Sequence, residues 1–234
     1  MPIVAQPVRH IYGGNTFEAF ATWDDASSAP RPLVLVAGTF MGRTRFEESK
    51  ARSLAELGYV AVAIDLYGVD HWPAGMEQAR IAMDALNADR AELKGRLRAA
   101  LDAALAAGTP IDPAKIAAIG FCFGGKCVLD LARSGANVAG VVSFHGLYDA
   151  PPFPNGAIKA KILALHGWDD PLAPPEAVLA LAREMTEAGA DWQVHAYGHT
   201  VHGFTNPARE GMYSPVADAR SWQAMANFLE EVLA

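Results

Sequence analysis

Short apolar runs of strand length recur along this chain, and polar or amphipathic stretches separate them. Most of these runs are apolar on both faces, which is typical of central strands in a parallel sheet because helices cover both of its sides. In the first run apolar and polar residues alternate only partly, and in the last run they are mixed. Both patterns are expected nearer the edges of a sheet. Strands are therefore predicted over residues 17–23, 33–37, 59–64, 115–119, 138–144, 162–165 and 192–197.

Helical periodicity fills several of the intervals between these runs. In one interval, Asp89-Arg90-Ala91-Glu92 resembles a capping box, and a leucine then recurs at every fourth position. The alternation of strand and helix predicts an α/β fold with a mostly parallel, doubly wound sheet that helices flank on both faces. Without an internal repeat or a long linker, residues 1–234 are predicted to form a single domain. The predicted helices cover residues 89–107, 126–132, 175–188 and 214–232.

Composition narrows the function classes further. The chain has 234 residues, of which 51% are hydrophobic, and its formal net charge is −7. These values argue against a disordered chain. They also argue against a generic nucleic-acid partner, because proteins that bind nucleic acids usually have an excess of basic residues. The N-terminus lacks a basic head followed by an apolar run, and no apolar run could span a bilayer. We therefore expect a cytoplasmic protein with no membrane partner, whereas the oligomeric state is left open.

One strand-to-helix turn carries the strongest chemical signal. The segment Gly120-Phe121-Cys122-Phe123-Gly124-Gly125 has the G-x-C-x-G pattern, which is related to the G-x-S-x-G turn that presents a nucleophile on a sharp elbow. Such a turn would place Cys122 at a helix N-terminus, where backbone N–H groups favour an anionic thiolate. The competing interpretation of Cys122 is a small buried hydrophobe. Cys127, five residues further on, is predicted to be a packing residue.

A thiol nucleophile also needs a base, and the base needs an acid that orients it. The acid candidates are Asp169 and Asp170, after the strand at 162–165, and the base candidates are His199 and His202, after the last strand. These segments follow the cysteine in the order nucleophile, acid, histidine, at strand ends where open α/β sheets place their sites. The residues alone leave both choices open, because an Asp before Pro often caps a turn and a loop histidine is often solvated.

Two further histidines, His145 and His166, are predicted to follow strands directly. His145 could line a substrate pocket, and a purely structural hydrogen bond is an equal alternative for both. The chain contains neither a helical H-x-x-x-H pair nor a C-x-x-C pair, so we predict no metal site and no cofactor.

The segment from Gly120 to Gly125 resembles the nucleophile elbow of the dienelactone hydrolase family, a cysteine-using branch of the α/β-hydrolase fold. Segments 65–68, 142–146, 167–174 and 202–204 resemble the same family in the same order, so the resemblance extends from about residue 15 to the end. It implies a hydrolase that cleaves an ester or lactone through a Cys-His-Asp triad and an acyl-thioester intermediate. A broader carboxylesterase or thioesterase is one alternative, and a small-ligand binding protein without turnover is another.

The resemblance also implies individual roles. It favours Asp170 as the acid, since an apolar residue and a proline follow it at the family's spacing, and it favours His202 as the base, since Gly and Phe follow. The backbone N–H groups of Phe40 and Phe123 are implied to form the oxyanion hole, which would receive the negative charge of the carbonyl oxygen.

The chain departs from well-known dienelactone-cleaving members at two positions. Thr39 stands where those members carry a glutamate, in the loop after the 33–37 strand, and is a possible pocket-lining residue. Asn206 stands in the stretch where they carry an arginine that grips the substrate carboxylate. The dienelactone substrate is therefore left open, whereas the reaction type depends on neither position.

Overall fold

The computed structural model describes residues 2–234, and over that range it contains an eight-stranded, mostly parallel sheet with six α-helices, as the alternation of strands and helices predicted. The strand order is β1-β2-β4-β3-β5-β6-β7-β8. The strands are β1 (Ile3–Tyr12), β2 (Asn15–Asp24), β3 (Arg31–Ala37), β4 (Val60–Ala63), β5 (Ile111–Phe121), β6 (Gly140–Phe144), β7 (Lys161–Gly167) and β8 (Trp192–Tyr197). The helices are α1 (Arg45–Glu56), α2 (Met76–Ala88), α3 (Arg90–Leu105), α4 (Phe123–Arg133), α5 (Pro175–Glu187) and α6 (Pro215–Val232).

The chain forms two compact units, the first ending at Ala118 and the second running from Ile119 to Ala234. In the first unit, β1 and β2 form a long antiparallel hairpin, β2 pairs antiparallel with β4, and β3 pairs parallel with β4. The apolar residues of β3 and β4 are almost completely inaccessible to solvent, because each contributes side chains to both faces of the sheet.

The hairpin strand β1 was not predicted from the sequence. It contains Pro7 and exposed polar residues such as Arg9, so it lacks the apolar run that identified the other strands. A proline cannot donate a ladder hydrogen bond and is tolerated mainly in edge strands, and β1 is the first strand of the sheet order. This strand is defined by its antiparallel pairing with β2 over ten residue pairs, and not by a hydrophobic pattern of its own.

Helix α1 was also missed, although a local signal for it exists. Thr44 caps its N-terminus, and Glu47 completes a capping box in which each side chain accepts from the other residue's backbone N–H. The predicted cap of α3 is confirmed in one direction, since the Asp89 side chain accepts from the backbone N–H of Glu92.

In the second unit, β6, β7 and β8 pair in parallel with one another. Their carboxyl ends therefore lie at one edge, and the segments that follow them carry His145, Asp170 and His202 respectively. Helix α4 begins at Phe123, three residues earlier than predicted, so that Cys122 is its N-cap. His166 lies within β7 instead of following it, which corrects the sequence-based placement. No helix over residues 2–234 is long and apolar enough to cross a membrane.

Candidate active site

The candidate nucleophile occupies a sharp turn between β5 and α4. Cys122 has φ 57° and ψ −115°, a left-handed backbone conformation that is rare for a residue with a side chain. The turn is tight because glycines flank it: a Cβ at Gly120 would collide with the carbonyl group of Gly124, and one at Gly125 would lie 2.6 Å from Oγ of Ser143. The glycine spacing thus produces the elbow that the sequence predicted.

The backbone of Cys122 is held at the end of β6. Its N–H lies 3.0 Å from the carbonyl oxygen of Phe144 and 3.1 Å from Nδ1 of His145, so it is shared between two acceptors. The residue is 9% exposed, which leaves the thiol limited access to solvent. Phe123 is the first residue of α4, and its N–H therefore belongs to the helix end that intrahelical hydrogen bonds do not satisfy.

Asp170 and His202 lie side by side in the second unit. The Oδ2 atom of Asp170 is 2.7 Å from Nδ1 of His202, and Oδ1 of Asp170 accepts from the backbone N–H of Leu172 at 2.8 Å. Both side chains are nearly inaccessible to solvent. Because both carboxylate oxygens are engaged, Asp170 is held in one orientation, and it fixes the orientation of the imidazole in turn.

His202 also interacts with Cys122, and this interaction alters its protonation. Burial lowers the pKa of His202, but hydrogen bonds to Asp170 and Cys122, together with their negative charges, outweigh burial and raise the pKa to about 9. Nε2 of His202 makes no well-aligned hydrogen bond within the described residues. The thiol–imidazole contact is therefore loose, as is common for catalytic pairs without substrate. The arrangement favours a protonated imidazole beside the Asp170 carboxylate.

The alternative acid and base are placed differently. His199 is fully exposed and Asp169 is half exposed, and the Nδ1 and Oδ2 atoms of this pair are 3.9 Å apart. His199 adopts a positive φ of 55° in a turn. The geometry thus brings together Asp170, His202 and Cys122, the three residues that the resemblance favoured, and leaves the other pair in solvent.

His145 connects several parts of this cluster. Its Nε2 lies 2.8 Å from Oγ1 of Thr205, and its ring makes edge contacts with His202 and Phe204 at centroid separations of 5.1 and 5.2 Å. The side chain is 1% exposed, so it is a buried neighbour of the triad. Thr205 had not been singled out from the sequence, because nothing local signals a partner 60 residues away.

His166 forms a second buried contact beside the acid. Its Nδ1 lies 3.3 Å from the hydroxyl of Tyr148. Burial lowers the pKa of His166, and the neighbouring charge of Asp170 opposes this effect. Burial and the Asp170 charge both raise the pKa of Tyr148 above its usual range. The surroundings of His166 therefore favour a structural hydrogen bond, the alternative given for it above.

The loop after β3, in the first unit, carries Thr39 and Phe40. The N–H of Thr39 donates to Oε1 of Glu47 at 3.0 Å, and the N–H of Thr44 donates to Oε2 of Glu47 at 2.8 Å. The hydroxyl of Tyr67 donates to the carbonyl oxygen of Phe40 at 2.8 Å. Burial raises the pKa of Glu47, and the hydrogen bonds that it accepts oppose this shift. The loop is thus fixed by groups that the sequence analysis did not single out.

Asn206 lies in a turn after the candidate base. Its N–H donates to the carbonyl oxygen of Gly203 at 3.1 Å, and its Oδ1 accepts from the N–H of Ala208 at 3.0 Å. The Asn206 side chain therefore serves local turn geometry. Over the described range 2–234, no group of three or more His, Cys, Asp or Glu side chains is arranged to hold a metal ion.

The chain is similar to several known proteins. The model of the dienelactone hydrolase family matches residues 17–233. Two solved structures match 99% of this chain and 99% of their own: m3DLH, at 39% identity and a TM-score of 0.93, and the dienelactone hydrolase-like promiscuous phosphotriesterase P91 from metagenomic libraries, at 36% identity and 0.92. A Salmonella typhimurium protein named "Putative carboxymethylenebutenolidase" is 24% identical over 229 residues, which cover 93% of this chain and 84% of that protein.

Proposed function

Because this chain belongs to the dienelactone hydrolase family, we propose that it hydrolyses an ester or lactone through a triad of Cys122, His202 and Asp170. The observation that carries the proposal is the buried contact of His202 with both Asp170 and Cys122. This pattern, a nucleophile beside a base that an acid orients, is the general signature of covalent acyl transfer.

In the first half-reaction, Cys122 attacks as a thiolate. Its sulfur bonds to the substrate carbonyl carbon, and the π electrons of the carbonyl move onto oxygen, where the N–H of Phe123 donates a hydrogen bond. The C–O bond to the leaving group then breaks, and His202 transfers its proton from Nε2 to the departing alkoxide. Asp170 holds Nδ1 throughout, so that Nε2 is the nitrogen that exchanges the proton.

In the second half-reaction, water cleaves the thioester. Once Cys122 is acylated, its negative charge is gone, and one of the causes that raise the pKa of His202 disappears with it. The neutral imidazole then accepts a proton from water, whose oxygen attacks the thioester carbonyl carbon. Collapse of the tetrahedral intermediate expels the Cys122 thiolate and releases the carboxylic acid. The same histidine thus acts first as an acid and then as a base.

Phe40 is proposed as the second oxyanion donor because the family resemblance implies it. Thr39 is proposed to shape specificity at the position where other members carry glutamate. A thiol nucleophile must stay reduced to act. Both cysteines are free thiols, which supports a reducing, cytoplasmic setting as part of the same proposal. A single domain is proposed because one family model matches residues 17–233.

A panel of aryl esters and lactones tests the activity, with Cys122→Ala as the inactive variant and Cys127→Ala as the matched control. We expect turnover by the wild type and by Cys127→Ala, and none above background by Cys122→Ala. Cys127 is completely buried in α4 and is not part of the proposed triad. Undiminished turnover by Cys122→Ala would refute the triad. Iodoacetamide should label Cys122 faster than Cys127, and equally slow labelling of both would favour a ligand-binding protein without turnover.

The substrate class can be separated within the same panel. A lactone that carries a carboxylate is compared with its neutral methyl ester and with a thioester of the same acyl group. Because Asn206 offers no positive charge to a carboxylate, we expect the neutral substrates to be preferred. A preference for the carboxylated lactone would instead indicate a dienelactone substrate and a cation elsewhere in the chain.

Phosphotriester hydrolysis is a second candidate activity. The observation in its favour is the similarity to P91, which is described as a promiscuous phosphotriesterase and matches this chain at 36% identity over 99% of both chains. An aryl dialkyl phosphotriester is therefore included in the panel. Release of the aryl alcohol by wild type but not by Cys122→Ala would support this activity, and its absence would limit the enzyme to carbonyl substrates.

A further inference from the structure

His145 makes contacts that the proposed reaction does not yet use. Its Nδ1 lies 3.1 Å from the backbone N of Cys122, and its Nε2 lies 2.8 Å from Oγ1 of Thr205. The ring also packs edge-on against His202 at 5.1 Å between centroids. One buried side chain therefore contacts the backbone of the nucleophile and the ring of the base.

These contacts define the protonation of the His145 ring. A backbone N–H can only donate, so Nδ1 of His145 must be the acceptor and carries no proton. A neutral imidazole then carries its proton on Nε2, which donates to the hydroxyl of Thr205. The ring is thus neutral, with one defined tautomer, and both nitrogens are engaged.

Neutrality matters because of the neighbouring ring. Hydrogen bonds and charge from Asp170 and Cys122 raise the pKa of His202 to about 9, which favours its cationic form. A second cation at the position of His145 would repel the imidazolium at a centroid separation of 5.1 Å in a buried site. A neutral ring at this position fills the space beside His202 without opposing its charge.

The backbone of His145 is also unusual. Its φ of 38° places it in the left-handed region, which a residue with a side chain adopts only when the surroundings compensate for the strain. Phe144 and His145 are consecutive, and both supply acceptors to the N–H of Cys122. The strained backbone of His145 therefore occurs where two consecutive residues at the end of β6 both accept from the N–H of Cys122.

From these observations we infer that His145 is a positioning residue for the triad. Its Nδ1 acceptor aligns the peptide of Cys122 so that the thiol faces His202, and its neutral ring supports the His202 cation. This role rests on the proposed function of the same site, and it is an alternative to the pocket-lining role predicted for His145. A pocket-lining residue would contact substrate and alter KM, whereas a positioning residue alters kcat and the reactivity of the thiol.

Two variants separate the acceptor from the ring. In His145→Asn the amide oxygen can occupy the place of Nδ1 and accept from the Cys122 N–H. In His145→Gln the amide reaches instead toward Thr205 and leaves Nδ1 without a substitute. Both variants lose the ring packing on His202, so the difference between them reports the acceptor once their stabilities have been compared.

We expect kcat and the rate of Cys122 alkylation by iodoacetamide to be about tenfold lower in His145→Gln than in His145→Asn, with KM equal within about twofold. A tenfold change corresponds to about 1.4 kcal/mol, at the upper end of the net contribution of one hydrogen bond. Because asparagine tolerates a positive φ better than glutamine, unfolding free energies are measured for both variants. Rates are normalised to folded enzyme, with the alkylated site mapped by mass spectrometry.

Substitution of Thr205 provides an independent test of the role of His145. Thr205→Val leaves the Nε2–H of His145 without its acceptor, so the other tautomer, which turns a donor toward Cys122, gains population. We expect slower alkylation and a lower kcat in Thr205→Val, and recovery in Thr205→Ser, which keeps the hydroxyl.

Equal rates in His145→Asn and His145→Gln, or a change confined to KM, would overturn the positioning role. Alkylation needs no substrate, so it tests His145 even if the wild type turns over nothing in the panel. The wild type could be inactive on every substrate while His145→Gln is still alkylated more slowly than His145→Asn. That result would refute the proposed hydrolase and leave the positioning role intact.

Discussion

Asp170 and His202 are 32 residues apart in the sequence, and their side chains meet at 2.7 Å between Oδ2 and Nδ1. Each follows a different strand of the parallel β7–β8 pair, so the register of that pair brings the two loops together. The neighbouring acid and histidine, Asp169 and His199, are only 3.9 Å apart at their nearest charged atoms but lie in solvent. Burial, more than proximity, distinguishes the two pairs.

Replacing Asp170 with Asn should lower the pKa of His202 from about 9, because the negative charge and the charge-assisted hydrogen bond are both lost. The imidazole also loses its fixed orientation. We expect kcat on the best ester to fall by about 10²- to 10⁴-fold, the range typical of positioned acid–base catalysis. Steady-state kinetics and NMR titration of the His202 ring measure the two effects.

Asp169→Asn and His199→Gln are the matched controls, because their side chains are exposed and their mutual contact is long. Each should retain kcat and KM within about twofold of the wild type. A larger loss in either control than in Asp170→Asn would reverse the assignment of acid and base.

The raised pKa of His202 also predicts how stability depends on pH. Its folded-state pKa of about 9 lies above the ordinary value of 6.5, so the folded protein retains the proton more tightly than the unfolded chain. The resulting stabilisation, of order 3 kcal/mol, is fully present below pH 6.5 and is lost as the pH rises through about 9.

Denaturant unfolding of wild type and His202→Gln at several pH values measures this term. The difference between the two proteins should shrink as the pH rises through about 9. Subtracting the variant removes the contribution of His10, whose pKa burial lowers and whose effect on stability therefore has the opposite sign. His166 is followed separately by NMR, because the charge of His202 also lowers its pKa. A difference that is constant with pH would contradict the raised pKa.

The pH dependence of kcat/KM should follow the same group. Acylation requires His202 to protonate the leaving alkoxide, so kcat/KM should decline as the pH rises through about 9. The alkaline decline of kcat/KM should move to lower pH in Asp170→Asn, because the pKa of His202 falls in that variant. A profile that does not move would assign the alkaline limb to a different group.

The elbow predicts a position-specific cost for adding one methyl group. Gly120→Ala places a Cβ against the carbonyl group of Gly124, which cannot move without distorting the first turn of α4. We expect a loss of roughly 1–3 kcal/mol in the free energy of unfolding, with a lower kcat per folded molecule.

Gly198→Ala is the control for this substitution, because a Cβ there meets no atom within 4 Å and the backbone does not have a positive φ. Its free energy of unfolding should change by less than about 0.5 kcal/mol. Chemical denaturation of both variants gives the comparison, and an equally small change in both would mean that the turn relaxes to accept a Cβ at Gly120.

Much of the fold and of the candidate site was predictable because it is encoded locally. The central strands are continuous apolar runs, and the glycines around Cys122 mark the turn that their missing side chains allow. The order of Cys122, then Asp169 or Asp170, then His199 or His202 indicated strand ends that a parallel sheet must bring to one edge. The choice of Asp170 and His202 came from the family resemblance. These features need no knowledge of distant partners.

The features that were missed depend on partners far along the chain. Strand β1 is defined by pairing with β2, and its own sequence carries Pro7 and exposed polar residues. The role inferred for His145 follows from contacts with Cys122 and Thr205, which are 23 and 60 residues away. Glu47 could have been found from Thr44-Arg45-Phe46-Glu47, but its contact with the N–H of Thr39 could not.

The pairing of β1 with β2 along its whole length has a consequence for solubility. β2 is bonded to β4 on its other side, so β1 is what covers its remaining edge. Removing residues 1–12 would expose a row of backbone N–H and C=O groups on β2, a template onto which a strand of another molecule can add. With Pro7 interrupting its donors and Arg9 exposed, β1 is a poorer template than the strand that it covers. The hairpin thus acts as protection against self-association, and the shortened chain should sediment as oligomers at concentrations where the full chain does not.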